Sequence, residues 1–346
     1  MAAAEYVLDR YKKDLETKEF DNEEEKSELD EAFNQIAADV CKSWGKYSLV
    51  LLETSFEAAA AASDSDGTEV HDMESENCTL DYEVDFVTIE LDPAFTTDLR
   101  HTKAKTFEEA RSIFLPGQRA LNKAKLFYTL NDHCTDFAEI QQDLSRMHKV
   151  LIFFEPEEER QFKMHKRRID LLESVYNELN PQMYKLLCRQ LVFEIGETYS
   201  SMMDVKSAKV RRGEAEGGIA SPQLTAKINA LVELSVNSFR QFLNLLKSDG
   251  SESLPAKFDL DVCRPALLAH FHLGRLSDKY QGMPDEMKVA AKLETLRYFK
   301  YVVNYCEKVH PEAADLFQSE LVICKELVQL LPIKIRRMQA ELIQNS

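Results

Sequence analysis

From Thr106 to the last residues, apolar side chains recur at three- and four-residue intervals in runs too long for strands. Spacing of this kind puts one apolar stripe on each run, and each stripe must be buried against another. Punctuation is sparse, with ten glycines and ten prolines in 346 residues. Strand-rich folds and glycine-lined cofactor loops use both residues freely. The pattern predicts an all-α chain. Thr106 followed by Glu109 forms a capping box that opens a helix to about Leu130, and Pro116-Gly117 should kink it. Asn131-Asp132-His133-Cys134 reads as a turn, with Asp136 capping a helix that reaches Phe154. A helix over 157–179 follows, and Asn180-Pro181 is expected to start the next. Further helices are predicted over 221–247, 261–280, 284–308 and 311–344, and, upstream, over 2–15 and 27–60. The piece over 82–91 has an ambiguous period and reads as a short strand or helix ended by Pro93.

Charge is distributed unevenly. The chain has 43 basic and 60 acidic residues, a net −17. Tyr47 to Leu99 contains no Lys or Arg but 14 acids, whereas the residues after 99 carry a small positive balance. Like charges at that density repel, so the Ser/Asp/Glu-rich part is expected to be a loop. It reads either as a solubilising insert or as a lure for a basic surface. Acidity overall argues against a nucleic-acid partner, because neutralising phosphates needs surplus Lys and Arg. The seven cysteines form no C-x-x-C pair, which leaves neither a disulfide framework nor a zinc knuckle and suggests a reducing compartment. Met1-Ala2-Ala3-Ala4-Glu5 does not open a signal peptide. No apolar run approaches the roughly 20 residues that span a bilayer. A soluble intracellular protein is expected.

Motifs for chemistry are missing. There is no G-x-x-x-x-G-K-[ST], G-x-S-x-G, H-E-x-x-H or EF-hand loop. His133-Cys134 is adjacent in sequence, which does not supply the facing geometry of a thiol–imidazole pair. His270 and His272, two apart on a predicted helix, point to different faces, whereas joint metal binding needs i, i+4. No enzyme, cofactor or metal is expected.

Repeat signals are present. Ile195-Gly196, Tyr199 and Ala208 match offsets of the tetratricopeptide repeat of about 34 residues. There the glycine permits helix contact, the tyrosine fills the gap, and Ala208 would let a partner helix cross. Leu273-Gly274 repeats the first half only, and its helices look longer than the standard unit. Phe317, Leu321, Cys324, Val328, Leu331, Ile335, Met338 and Leu342 make a heptad-like seam. The seam is either a partner coil or, since Pro332 would kink a free coil, a capping helix packed on its neighbours. Arg160, Lys163, His165, Lys166, Arg167 and Arg168 form a basic cluster, either a nuclear-localisation or phosphate site or a solvated face paired with 157–159.

Several words of the chain are long and distinctive. They include Thr106-Phe107-Glu108-Glu109-Ala110-Arg111, Phe153-Phe154-Glu155, Lys163-Met164-His165-Lys166-Arg167-Arg168-Ile169, Leu179-Asn180-Pro181-Gln182, Met202-Met203-Asp204, Arg264-Pro265-Ala266 and Tyr305-Cys306-Glu307-Lys308. In these words and their order the chain resembles the kinesin-binding protein family, specifically from about 106 onward and more weakly over 1–62. The resemblance implies tetratricopeptide-like antiparallel helix pairs in a right-handed superhelix. It also implies a further N-terminal half in the family that does not stand in this sequence. By the same resemblance the function would be non-enzymatic: binding kinesin motor domains and blocking their microtubule attachment, in support of neuronal outgrowth and transport. The alternative is a general scaffold for peptide segments.

The expected organisation is a helical segment over 1–62, an acidic loop over 63–105 and a helical domain over 106–346. Kinesin motor domains are the expected partner of a monomeric chain in cytoplasm and cytoskeleton. A motor domain meets the acidic microtubule through a basic surface, so acidic groups here could compete for it. The expected contacts are Asp64, Asp66, Asp72 and Glu74 of the acidic loop, and Asn131, Asp132, His133, Thr135 and Asp136 of the turn.

Overall fold

The computed structural model describes residues 2–18, 20, 22–64, 102–215, 221–247, 251 and 253–345. The 82–91 segment and nearly all of the acidic stretch lie outside them. Among the described residues every regular element is a helix: α1 (Ala2–Thr17), α2 (Glu23–Asp64), α3 (Phe107–Ala124), α4 (Cys134–Phe154), α5 (Glu158–Tyr176), α6 (Lys185–Ala215), α7 (Pro222–Leu245), α8 (Leu260–Ser277), α9 (Asp285–Asn304), α10 (Ala313–Leu316) and α11 (Gln318–Asn345), with a π-helical turn at Tyr305–Val309. The all-α expectation holds. The chain forms two compact units, residues 1–160 and 161–346.

In the first unit α2 and α3 are antiparallel. Tyr128 just beyond α3 meets Asp39, and Ala104 just before α3 donates its N–H to Ser55 Oγ, so positions rise on one chain as they fall on the other. α4 instead runs parallel to α2: Lys42 pairs with Asp136 and Phe56 packs on Phe153. Leu52, Ile113, Leu121, Ile140, Leu144 and Met147 fill the space between them and are fully buried. Each such side chain contributes roughly 1.5–3 kcal/mol relative to exposure. Thr106 caps α3 by accepting from the Glu109 N–H, while the Glu109 carboxylate reaches back to accept from the Lys105 N–H. Such a cap stabilises a helix by about 1 kcal/mol.

The second unit repeats the scheme. α6 and α7 are antiparallel, with Arg189 donating to the Leu245 carbonyl and Ser235 to the Gly196 carbonyl. α7 and α8 are antiparallel through Asn229–Gln281 and Tyr280–Glu233, and α8 and α9 through His270–Tyr301 and Asp278–Lys292. α6 and α8 run parallel, tied by Arg275 to Ser200 and Asp204. First helices therefore stack on first helices with an antiparallel partner between, which is a helical-repeat arrangement. The bonds joining parallel neighbours span 71–75 residues in this unit and 93–94 in the first. That is at least twice the tetratricopeptide period of about 34.

Gly196 and Gly274 serve the close approach that their motif suggested. A Cβ on Gly196 would stand 3.2 Å from the Phe239 ring, and one on Gly274 2.7 Å from Phe299. Ala208 lies on the same helix as Gly196, because α6 runs unbroken for 31 residues. Tyr199 reaches α5, donating to Glu173 at 2.8 Å.

Four expectations change. Asp136 does not cap α4, which begins at Cys134 with His133 in the cap position and no side-chain cap bond. Asn180-Pro181 does not open α6; Asn180 Oδ1 accepts from the Gln182 N–H in a local turn and the helix starts at Lys185. The run to 308 changes to a π turn after Asn304, closed by the His310 N–H on the Tyr305 carbonyl, while the Tyr305 hydroxyl accepts from the Phe258 N–H. Pro311 then precedes a separate short α10. The basic cluster divides: Arg160 pairs with Glu157 at 2.7 Å and Lys163, Lys166 and Arg167 are exposed, but His165 and Arg168 are buried.

Candidate functional site

The turn between α3 and α4 is closed by the His133 N–H on the Thr129 carbonyl and by Thr129 Oγ1 donating to Asp132 Oδ2 at 2.7 Å. This short-range bonding is what Thr and Asp do in turns. It leaves Asn131, Asp132 and Thr135 exposed on the surface. His133 is half-buried, with ring centroids 5.0 Å from Phe127 and 5.3 Å from Tyr128.

Asp136, of intermediate exposure on the first turn of α4, faces α2. Lys42 of α2 stands 2.7 Å from Asp136 and 3.0 Å from Glu139, with its ammonium over the Tyr128 ring. Lys46 holds Glu139 at 2.6 Å. Burial alone would lower Lys42, but its bonds to Asp136 and Glu139 outweigh that and hold it above the ordinary lysine value. Burial, joined by the bond to Asp39, pushes the Tyr128 hydroxyl up to about 12. Burial also pushes the Asp143 carboxyl up, one turn further along. Asp136 is thus a packing residue joining α2 to α4, and Asp132 is the acid this turn presents outward.

Among the described residues, clefts lie against α2 on two sides. One, of about 510 Å³, is lined by Asn34, Ala37, Ala38 and Cys41 with Lys123, Leu126 and Phe127 at the end of α3. Its small-residue floor lies beside the turn through Phe127, and Leu126 is 83% exposed. The other, of about 360 Å³, lies between α1 and α2 and is lined by Ala4, Val7, Leu8, Tyr11, Ile36 and Val40. Nothing in the local pattern around Leu126 marks it as surface, since it continues the apolar spacing of α3. Of the remaining expected contacts, Asp64 is the last residue of α2, and Asp66, Asp72 and Glu74 lie outside the described residues.

Elsewhere the chemistry is muted. Burial pushes the Cys306 thiol up to about 11 and the Cys324 thiol up to about 12, away from the thiolate that reacts. No group of three or more metal-ligating side chains is assembled among the described residues, and no helix among them is long and apolar enough to cross a membrane.

Residues 1–338 match the family described as KIF-1 binding protein C terminal. The chain is 42% identical over 236 residues to the KIF-binding protein of Gallus gallus, covering 68% of this chain and 39% of that one. It is 36% identical over 339 residues to the KIF-binding protein of Homo sapiens, covering 93% and 53%. The Drosophila melanogaster KIF-binding protein is 27% identical over 354 residues, covering 99% and 56%. The chain spans about half the length of the curated relatives it matches.

Proposed function

The chain belongs to the KIF-1 binding protein C terminal family, and from that premise we propose that it binds the motor domains of kinesins. The observation that carries this reading is the match of nearly the whole chain to relatives named KIF-binding protein. On this reading the protein is a non-enzymatic regulator. It occupies a motor's microtubule-facing surface, blocks attachment, and so acts on microtubule organisation and neuronal outgrowth from the cytoplasm and cytoskeleton.

Charge supports the proposal. The acids of the first hundred residues carry more than the whole net charge of −17. Asp132 adds an exposed carboxylate on a turn closed by its own hydrogen bonds. Complementary charge raises the association rate by steering and loses that effect as salt screens it. A second reading, a scaffold for amphipathic peptide helices, is favoured by the apolar cleft between α1 and α2. A scaffold of that kind would bind short synthetic helices, whereas a motor regulator requires the folded motor.

Asp132→Lys tests the contact. It should slow association with an isolated motor domain at low ionic strength by about three- to tenfold, converging with the parent near 0.5 M salt (about 4 Å screening length). Asp136→Lys is unsuitable because it breaks the Lys42 pair. An unchanged association rate for Asp132→Lys at low salt removes the turn from the contact surface.

A further inference from the structure

The seam expected on the last helix packs inward. Phe317, Leu321, Cys324, Leu331 and Ile335 are buried, and α11 lies along α9. A second seam runs along the opposite face. Ile323, Glu326, Leu330, Ile333, Arg337 and Ala340 follow one another at spacings of 3, 4, 3, 4 and 3, and all six are exposed. Ile323 is 44%, Leu330 59% and Ile333 61% exposed. Large apolar side chains repeated in a heptad stripe on a solvent face are the informative kind of exposure, because a coil partner would bury them.

We propose that this face pairs with the same face of a second copy of the chain as an antiparallel two-helix contact. The choice of occupant follows from the charges. In a parallel, in-register pair Glu326 would meet Glu326 and Arg337 would meet Arg337, which repel. Turning one helix round about an axis midway between Leu330 and Ile333 sets Leu330 against Ile333, Ile323 against Ala340 and Glu326 against Arg337 of the other copy. Every layer of the stripe is then apolar on apolar or opposite in charge. A two-fold contact requires such self-complementarity. The Arg337 side chain is 82% exposed and its pairing with Glu341 on the same helix, at 3.0 Å, leaves the guanidinium at the surface. Such exposed pairs contribute little, so exchange for Glu326 of a second copy is cheap. Pro332 stands beside the stripe, half-buried, and does not interrupt α11. On this proposal the chain is a weak dimer, where the sequence predicts a monomer.

Sedimentation equilibrium of the full chain from about 1 µM to about 200 µM tests this, since dimer population follows mass action. The parent should shift toward twice the chain mass as concentration rises. Glu326→Arg should weaken association at least tenfold, and Glu326→Arg combined with Arg337→Glu should restore it to within about threefold. Both positions are exposed, and unchanged far-ultraviolet circular dichroism confirms that the variants fold. A parent that stays monomeric throughout overturns the proposal. So does a dimer indifferent to the single reversal, or a double reversal that fails to rescue.

Discussion

Replacing Arg168 by alanine is expected to destabilise the second unit by about 3–5 kcal/mol, the range for removing one partner of a buried ion pair. Arg168 sits on α5 with 1% of its surface exposed. Its guanidinium donates to Glu194 of α6 at 3.2 Å and lies 3.4 Å from His165 Nδ1. Truncation takes this cation away from a carboxylate whose side chain is only 18% exposed, and empties the volume of one of the largest fully buried side chains. Burial lowers the Arg168 pKa from its ordinary value, but a guanidinium keeps its proton in proteins at any accessible pH. The pair is therefore a charged one. Arg168→Lys, which keeps the cation but loses the planar fork of donors, should lose less than Arg168→Ala. Urea denaturation of the three chains reads both outcomes. An Arg168→Ala loss below about 1 kcal/mol would show that the guanidinium is solvated.

Acid should destabilise the same unit. Burial, assisted by Arg297, pushes His270 down to about 4, and burial, assisted by Arg275, does the same to His272. His270 packs on Tyr301 with ring centroids 4.1 Å apart and on Tyr298 at 6.0 Å. His272 stacks on Phe239 at 4.7 Å, with Glu197 4.0 Å away, and Glu320 acts in the opposite sense to Arg275. Both imidazoles are therefore neutral when folded at pH 7. The unfolded chain takes up protons below about pH 6.5, where the folded chain does not. Stability is full above pH 6.5, falls as pH drops from about 6.5 to about 4, and levels off once both states are protonated. A difference of about 2.5 pKa units corresponds to about 3 kcal/mol per histidine. Thermal melts at pH 7.5 and pH 4.5 should separate widely for the parent and less for His270→Phe or His272→Phe. Equal separation in all three would contradict the assignment.

What could be read beforehand was mostly local. Apolar spacing and scarce punctuation located the helices, since both depend on neighbours three or four residues away. Thr106 capped its helix for the same reason. The contacts at Gly196 and Gly274 are legible because the tetratricopeptide offsets put a glycine where paired helices approach closely. Long-range partners were invisible. Asp136 has the sequence of an N-cap, but it pairs with Lys42, 94 residues away, and the cap position falls three residues earlier, at His133. Arg168 reads as one more charge in a basic run until Glu194 is brought beside it. The π turn at Tyr305 coincides with a bond from the Phe258 N–H to the Tyr305 hydroxyl that no helical propensity encodes. At the candidate site the turn was legible and the clefts beside α2 were not, because they depend on how α1 and α3 lie against it.

Engagement of kinesin motor domains by this polypeptide, as proposed, is open to direct measurement. The direct measurement is equilibrium binding of the purified 346-residue chain to a panel of isolated, folded motor domains, followed by microtubule co-sedimentation of each motor with and without the chain. Saturable binding to a subset of motors, weakened by salt and accompanied by loss of those motors from the microtubule pellet, is the predicted result. Absence of binding to every motor at low ionic strength, with the chain shown to be folded, would contradict it.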